Sequence, residues 1–118
     1  MQVQQIKQEF LNANLGMDGV SLQELKESMQ KGEVLLLDVR PKEEYENAHI
    51  PGAVSVPIEE LGEKLSSLPV DRNVVAYCRG RYCLMAARAV ELLKTKGIHA
   101  YRLENSVQDW YQFQEQLH

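Results

Sequence analysis

The spacing of hydrophobic positions changes several times along this chain, and each change predicts a new element of secondary structure. In residues 1–15 the apolar positions are three, four and one residues apart, with Gln and Lys between them, which is typical of a short amphipathic helix. These positions are Val3, Ile6, Phe10 and Leu11. A second helix is predicted from Ser21, because Ser21 and Glu24 have the spacing of a capping box, and Gly32 would end it.

Four further segments have the composition of strands. Residues 34–39 form a nearly continuous apolar run, the pattern of a strand that is covered on both faces in a parallel sheet. Other strands are predicted at residues 53–56, 73–77 and 98–103. Helices are predicted between and after them, at residues 42–48, 58–68, 84–96 and 106–117, with Ser106 as the cap of the last one. This alternation predicts an α/β fold with a mainly parallel central sheet, helices on both sides and right-handed crossovers.

Length and composition restrict the class of protein. A chain of 118 residues is long enough for one domain with its own core and too short for two ordinary ones. With 44% hydrophobic and 25% charged residues it has the composition of a globular protein, and no apolar run reaches the roughly 20 residues that a membrane span needs. The first residues carry no apolar signal-peptide core, so the cytoplasm is the predicted compartment. A net charge of -4 argues against direct nucleic-acid binding by this domain.

Cys78 follows a predicted strand directly, and the loop after it leads into the helix predicted at residues 84–96. Ligand sites in parallel sheets gather at this edge, where helix N-termini converge. Amides of the loop and the positive end of the helix dipole, together with Arg79 and Arg81, would lower the thiol pKa from about 8.5 toward neutrality. Gly80 would allow the tight bend. The alternative interpretation is a buried, inert Cys78 with solvated arginines.

Three segments carry a resemblance to a known family. LLLDVRPKEEYENAHIPGAVSVP, VVAYCRGRYCLMAARAVELLKTKG and YRLEN resemble a single-domain rhodanese (sulfurtransferase) module, over about residues 20–117. The CRGRYC loop is most similar to that of rhodanese domains attached to winged-helix regulators of the arsenic-repressor (ArsR) type. The resemblance implies a rhodanese-like three-layer fold over residues 16–118. It also implies that residues 1–15 are an N-terminal helix or interdomain linker, and that a regulatory domain is attached or acts as a partner.

The resemblance further implies a persulfide mechanism without a cofactor or metal. Cys78 would be the nucleophile, attacking a small anionic sulfur donor such as thiosulfate and passing one sulfur atom to a thiol or cyanide acceptor. The remaining loop residues would form the anion-binding cradle; they are Arg79, Gly80, Arg81, Tyr82 and Cys83. Four further residues are predicted to support the site, either as parts of it or as hydrogen-bonded scaffold: Asp38, Arg40, Glu44 and His49.

Cys83 stands where many rhodanese loops have an arginine, and it opens a second interpretation. It would attack an oxidised or persulfidated Cys78 and form a disulfide, which would make the domain a sulfur- or redox-sensing module. Two other chemistries fit less well. A C-x5-R phosphatase loop would need arginine at Leu84, and a zinc site would have only the scattered His49, His99 and His118 to complete the cysteine pair.

Overall fold

Four parallel strands form the centre of the fold. A computed structural model describes residues 20–69 and 71–116, so the helix predicted at residues 1–15 lies outside the described residues. The strands are β1 (Val34–Asp38), β2 (Val54–Ser55), β3 (Asn73–Tyr77) and β4 (Ala100–Leu103). They lie in the order β2-β1-β3-β4, and every pairing is parallel. The predicted α/β fold with a parallel central sheet is confirmed.

The helices connect and cover these strands. They are α1 (Leu22–Gln30), α2 (Lys42–Asn47), α3 (Leu61–Lys64), α4 (Met85–Thr95) and α5 (Val107–Gln116). The single helix predicted at residues 58–68 is instead the short α3 between two 3-10 turns, and its end follows from the extended backbone of Leu68 before Pro69. None of the helices in the described part of the chain has the length and apolarity needed to cross a membrane.

Local capping explains why two of the helices begin where they do. Ser21 Oγ accepts a hydrogen bond from the amide of Glu24 at 3.2 Å and donates one to the Glu24 carboxylate at 3.1 Å. At α5 the Asp109 amide donates to Ser106 Oγ at 3.1 Å, while the Ser106 amide donates to Asp109 Oδ2 at 2.9 Å. Both predicted caps are confirmed. The capping box is complete at Ser106, whereas at α1 the Glu24 carboxylate accepts from the Ser21 hydroxyl instead of the Ser21 amide.

The core has two parts, one on each face of the sheet, because successive side chains of a strand point to opposite faces. Leu35 and Leu37 pack toward α4, whereas Leu36 packs toward α1 and α5. At the end of β3 the same alternation puts Tyr77 in the α1/α5 part and Cys78 in the α4 part. The pleat therefore directs the Cys78 thiol toward the layer that contains α4.

Candidate active site

A tight turn joins the end of β3 to the start of α4. The Cys83 amide donates a hydrogen bond to the Gly80 carbonyl at 3.2 Å, which closes a four-residue turn. Gly80 has a φ of 141°, a backbone angle that side-chain-bearing residues rarely adopt. Gly80 is thus needed for the bend, as the sequence predicts. The turn leaves Arg81 and Tyr82 at its exposed corner.

The sulfur of Cys78 is buried between this loop and the first turn of α4. Only 1% of the residue is exposed. The Ala86 amide donates a hydrogen bond to Cys78 Sγ at 3.4 Å, so the N-terminus of α4 contacts the sulfur as predicted. The thiol itself donates to the carbonyl oxygen of Cys83 at 3.4 Å. Both cysteines are free thiols.

The expected lowering of the Cys78 pKa is wrong for this arrangement. Burial raises the pKa of the Cys78 thiol, and the neighbouring Cys83 side chain raises it further. The amides of Ala86 and Arg79 act in the opposite direction but do not outweigh these effects. For Cys83, burial also acts upward, yet the neighbouring Cys78 thiol and the amides of Arg79 and Met85 leave the pKa of Cys83 lowered.

The two loop arginines contact the side chains of Glu44 and Tyr82. Arg79 forms an ion pair with Glu44 of α2, with Nη2 2.5 Å from Oε2 and Nε 3.0 Å from Oε1. The hydrogen bond raises the pKa of Arg79 and lowers the pKa of Glu44. The Arg81 guanidinium lies 6.0 Å from the centre of the Tyr82 ring. Both charges therefore lie in the outer rim of the loop.

Asp38 and Arg40 form the polar centre of the neighbouring strand end. The Arg40 guanidinium donates to both carboxylate oxygens of the fully buried Asp38, at 2.9 Å and 2.6 Å, and to the Ala48 carbonyl at 2.6 Å. The Tyr77 hydroxyl donates to Asp38 Oδ2 at 2.7 Å and accepts from the Ile50 amide at 3.1 Å. This network joins β1, β3 and the loop before β2. Its contacts are those of a scaffold.

Tyr77 is the member of this network that sequence reasoning missed. Burial raises the pKa of Tyr77, which keeps its hydroxyl protonated as a donor. The sequence contains a signal for this hydrogen bond, because Asp38 and Tyr77 are each the last residue of a strand. In the parallel register the two residues lie opposite each other. A tyrosine that ends an otherwise aliphatic strand beside a carboxylate indicates such a hydrogen bond.

His49 lies in a separate structural contact. Its Nδ1 is 2.9 Å from the Tyr45 carbonyl, and its ring stacks on the Tyr45 ring with centroids 3.8 Å apart. The His49 carbonyl accepts a hydrogen bond from the Tyr111 hydroxyl at 3.1 Å. These contacts fix the segment between α2 and β2 and use the side chain for packing.

This edge of the sheet therefore holds the buried Cys78 sulfur, with the Ala86 amide beside it. Arg79 and Arg81 lie at the exposed rim of the loop. Such a thiol is a nucleophile once it loses its proton, and the amides suit a small anion bound to sulfur. Within residues 20–69 and 71–116, no cluster of three His, Cys, Asp or Glu side chains is placed to hold a metal ion.

Comparison of the sequence with known proteins identifies a matching family and several similar proteins. The profile of the rhodanese-like domain matches residues 21–113. The chain is 46% identical over 93 residues to the HTH-type transcriptional regulator Rv0324 of Mycobacterium tuberculosis, covering 79% of this chain and 41% of that protein. It is 39% identical over 74 residues to the putative sulfur carrier protein YrkF of Bacillus subtilis, covering 61% of this chain and 40% of that protein. It thus spans about two fifths of either relative.

Solved structures share the architecture. A rhodanese-like domain protein from Staphylococcus aureus superposes with a TM-score of 0.68 at 28% identity, covering 80% of this chain and 91% of that one. A protein from Lactobacillus plantarum superposes with a TM-score of 0.76 over 93% of this chain and 94% of that one. The second match is 24% identical and therefore bears on the fold alone.

Proposed function

The chain belongs to the rhodanese-like domain family, and from that premise we propose that it transfers sulfane sulfur through a persulfide on Cys78. The observation that carries the proposal is the position of the Cys78 sulfur, buried at the N-terminus of α4 and 3.4 Å from the Ala86 amide. The relative named as a putative sulfur carrier protein supports sulfur chemistry. The proposed domain spans residues 16–118, and its proposed compartment is the reducing cytoplasm, where both thiols stay free.

The reaction has two balanced steps. The Cys78 thiolate attacks the outer sulfur of a donor such as thiosulfate, the donor's S–S bond breaks, and sulfite leaves with the bonding electron pair. The terminal sulfur of the resulting Cys78 persulfide carries the negative charge. An acceptor thiolate or cyanide then attacks that terminal sulfur, and the Cys78 thiolate leaves and is regenerated. No external oxidant or cofactor is required.

The loop has a defined part in each step. Arg79 and Arg81 at the rim attract an anionic donor, and Tyr82 lies beside them at the exposed corner. The thiol must give up its bond to the Cys83 carbonyl when it ionises, which frees the sulfur for attack. The N–H groups of the turn and of α4 then surround the terminal persulfide sulfur.

Mass spectrometry of the intact protein after brief exposure to thiosulfate tests the proposal. Wild type should gain the mass of one sulfur atom, Cys78→Ser should gain none, and Cys83→Ser should keep the added sulfur at least as long as wild type. Polysulfide serves as a second donor, because it also carries sulfane sulfur but has a different leaving group from thiosulfate. If neither donor adds sulfur at Cys78, the loop is not a sulfur-transfer site.

A second candidate function is a sulfur- or redox-sensing module in a larger regulator. The observation that favours it is the hydrogen bond from the Cys78 thiol to the Cys83 carbonyl at 3.4 Å, which holds the second cysteine beside the first, together with the regulator among the relatives. Cys83 thiolate would attack the inner sulfur of the Cys78 persulfide, forming a Cys78–Cys83 disulfide and releasing hydrosulfide. One equivalent of polysulfide should then leave an intramolecular disulfide in wild type and none in Cys83→Ser. Continued turnover with acceptor and no disulfide would exclude the sensor.

A further inference from the structure

Exposed apolar side chains gather beside the candidate nucleophile. Tyr82 is 90% exposed and Leu84 is 61% exposed, and they stand on either side of Cys83 in the chain. Leu84 precedes the first residue of α4, and its carbonyl accepts a hydrogen bond from the amide of Arg88 at 3.0 Å. Leu84 and Arg88 therefore lie one helical turn apart on the same face. A small sulfur donor does not need such an apolar surface.

The same surface is basic in a chain that is otherwise acidic. Residues 73–90 contain three arginines and no carboxylate before the exposed Glu91, whereas the net charge of the whole chain is -4. The arginines are Arg79, Arg81 and Arg88. Arg79 is held by Glu44, whereas Arg81 lies over the exposed Tyr82 ring. Exposed tyrosine and leucine interleaved with arginine are the composition of a protein-binding surface.

We infer that this acceptor rim, defined as Arg81, Tyr82, Leu84 and Arg88, docks the protein that receives the sulfur, and that this protein presents its cysteine beside acidic and apolar side chains. The inference rests on the proposed function and specifies its acceptor. Acidic groups on the partner would pair with the arginines, and its apolar groups would cover Tyr82 and Leu84. The acceptor thiolate would then lie next to the persulfide of Cys78.

Two other occupants fit the rim less well. A second copy of this chain, docked rim against rim by a two-fold axis, would bring like charges together. A single-stranded nucleic acid would also match the basic and aromatic groups, but it has no cysteine thiol to accept the sulfur. Both occupants become outcomes of the test.

The test measures single-turnover transfer from the persulfidated protein to three acceptors. These are a cysteine peptide flanked by glutamate and leucine, a cysteine peptide flanked by lysine and serine, and 2-mercaptoethanol. Wild type should react with the acidic peptide roughly tenfold faster than with the basic one, because complementary charge accelerates encounter. The double variant Leu84→Ser/Arg88→Glu should reduce that preference to about twofold or less while its rate with 2-mercaptoethanol stays close to that of wild type.

Both substituted side chains are exposed, so neither change disturbs the core, and glutamate suits the first turns of a helix. Arg72→Glu is the matched control, because it makes the same charge change at the opposite end of β3 and should keep the preference. Equal rates for both peptides in wild type, or a preference that survives in the double variant, would overturn the inference.

Direct binding separates this inference from the proposed function. If Cys78 takes up no sulfur, the proposed function fails, but the acceptor rim can still be tested. The unloaded protein is titrated with a cysteine-to-serine version of the acidic peptide, and the NMR chemical shifts of the backbone amides in residues 79–88 are followed. No shift changes there would overturn the inference. Concentration-dependent dimers that Arg88→Glu abolishes, or an oligonucleotide that displaces the peptide, would likewise reject it in favour of the other occupant.

Discussion

The sulfur of Cys78 lies 3.4 Å from the carbonyl oxygen of Cys83, so the candidate nucleophile is held by the loop that it begins. The contact fits a protonated thiol, which has a hydrogen to donate. An ionised sulfur would face the carbonyl dipole unfavourably, and the loop must adjust by a small shift when the proton leaves. Ionisation and loop geometry are therefore linked at this site.

The first prediction concerns the pH dependence of sulfur loading. Burial and Cys83 both raise the pKa of Cys78. The thiolate fraction, and with it the loading rate, should therefore still increase with pH above the usual thiol pKa of about 8.5. Cys83→Ala removes one group that raises the pKa of Cys78, so its profile should shift to lower pH. Stopped-flow or quenched loading with polysulfide at several pH values measures both. A shift to higher pH in Cys83→Ala would contradict the assignment.

The second prediction concerns the ion pair between Arg79 and Glu44. Glu44→Gln removes a carboxylate from the rim and frees Arg79, so thiosulfate loading at low donor concentration should accelerate a few-fold at low ionic strength. The gain should disappear in high salt, because the donor is an anion and the pair is exposed. Glu43→Gln, an exposed neighbour in α2, is the control. Slower loading in Glu44→Gln would show that the pair itself orders the loop.

The third prediction separates scaffold from chemistry at Asp38. Asp38→Asn leaves the buried Arg40 guanidinium without its counter-charge and should lower the free energy of unfolding by about 3 kcal/mol or more. Tyr77→Phe should cost about 1 to 3 kcal/mol, because the Ile50 amide loses its acceptor. Urea denaturation measures both, with the exposed Asp71→Asn as a control near zero.

The companion measurement for Asp38 is the loading rate of the folded variant. Under the scaffold interpretation, Asp38→Asn should load sulfur within a few-fold of wild type under conditions where it is fully folded. A variant that is nearly as stable as wild type but no longer loads would instead place Asp38 in the reaction.

The fourth prediction concerns the backbone of the loop. Gly80→Ala should lower stability by about 1 to 3 kcal/mol and reduce loading, because alanine strains a φ of 141° although the nearest atom to its Cβ, in Ser106, is 4.0 Å away. Gly62→Ala is the matched control, since Gly62 lies in α3 and, apart from its chain neighbours and its own helix backbone, no described atom lies within 4 Å of an added Cβ. That substitution should be neutral or stabilising by up to about 1 kcal/mol. Equal effects at both glycines would contradict the strain argument.

Much of the fold follows from local signals in the sequence. The boundaries predicted for β3 agree with the structure, because its apolar run is bounded by polar residues and by the cysteine loop. The predicted strand at residues 98–103 begins later, at Ala100, because Gly97 ends α4 and the chain then needs two residues to reach the sheet. The local sequence pattern thus predicts which helices and strands form, and tertiary contacts determine the residues at which they end.

The electrostatics of the site depend on long-range contacts and were not predictable in the same way. The sequence places Arg79 and Arg81 next to Cys78, but only the fold brings Glu44 from α2 to Arg79, across 35 positions of the chain. The pairing of Tyr77 with Asp38, 39 positions apart, likewise needs the register of the two strands. Charge near a cysteine in sequence therefore does not determine its pKa.

The hydrogen bonds among Asp38, Tyr77 and the Ile50 amide have a consequence for which parts of the site can move. They tie the segment before β2 to both central strands, so the Ile50 amide is expected to exchange its hydrogen only when the whole sheet unfolds. Because only 1% of Cys78 is exposed, a reactant can reach its sulfur only when a neighbouring part of the chain moves. The strand ends form the fixed frame, so we expect that movement in the loop of residues 79–83, where Arg81 and Tyr82 are exposed.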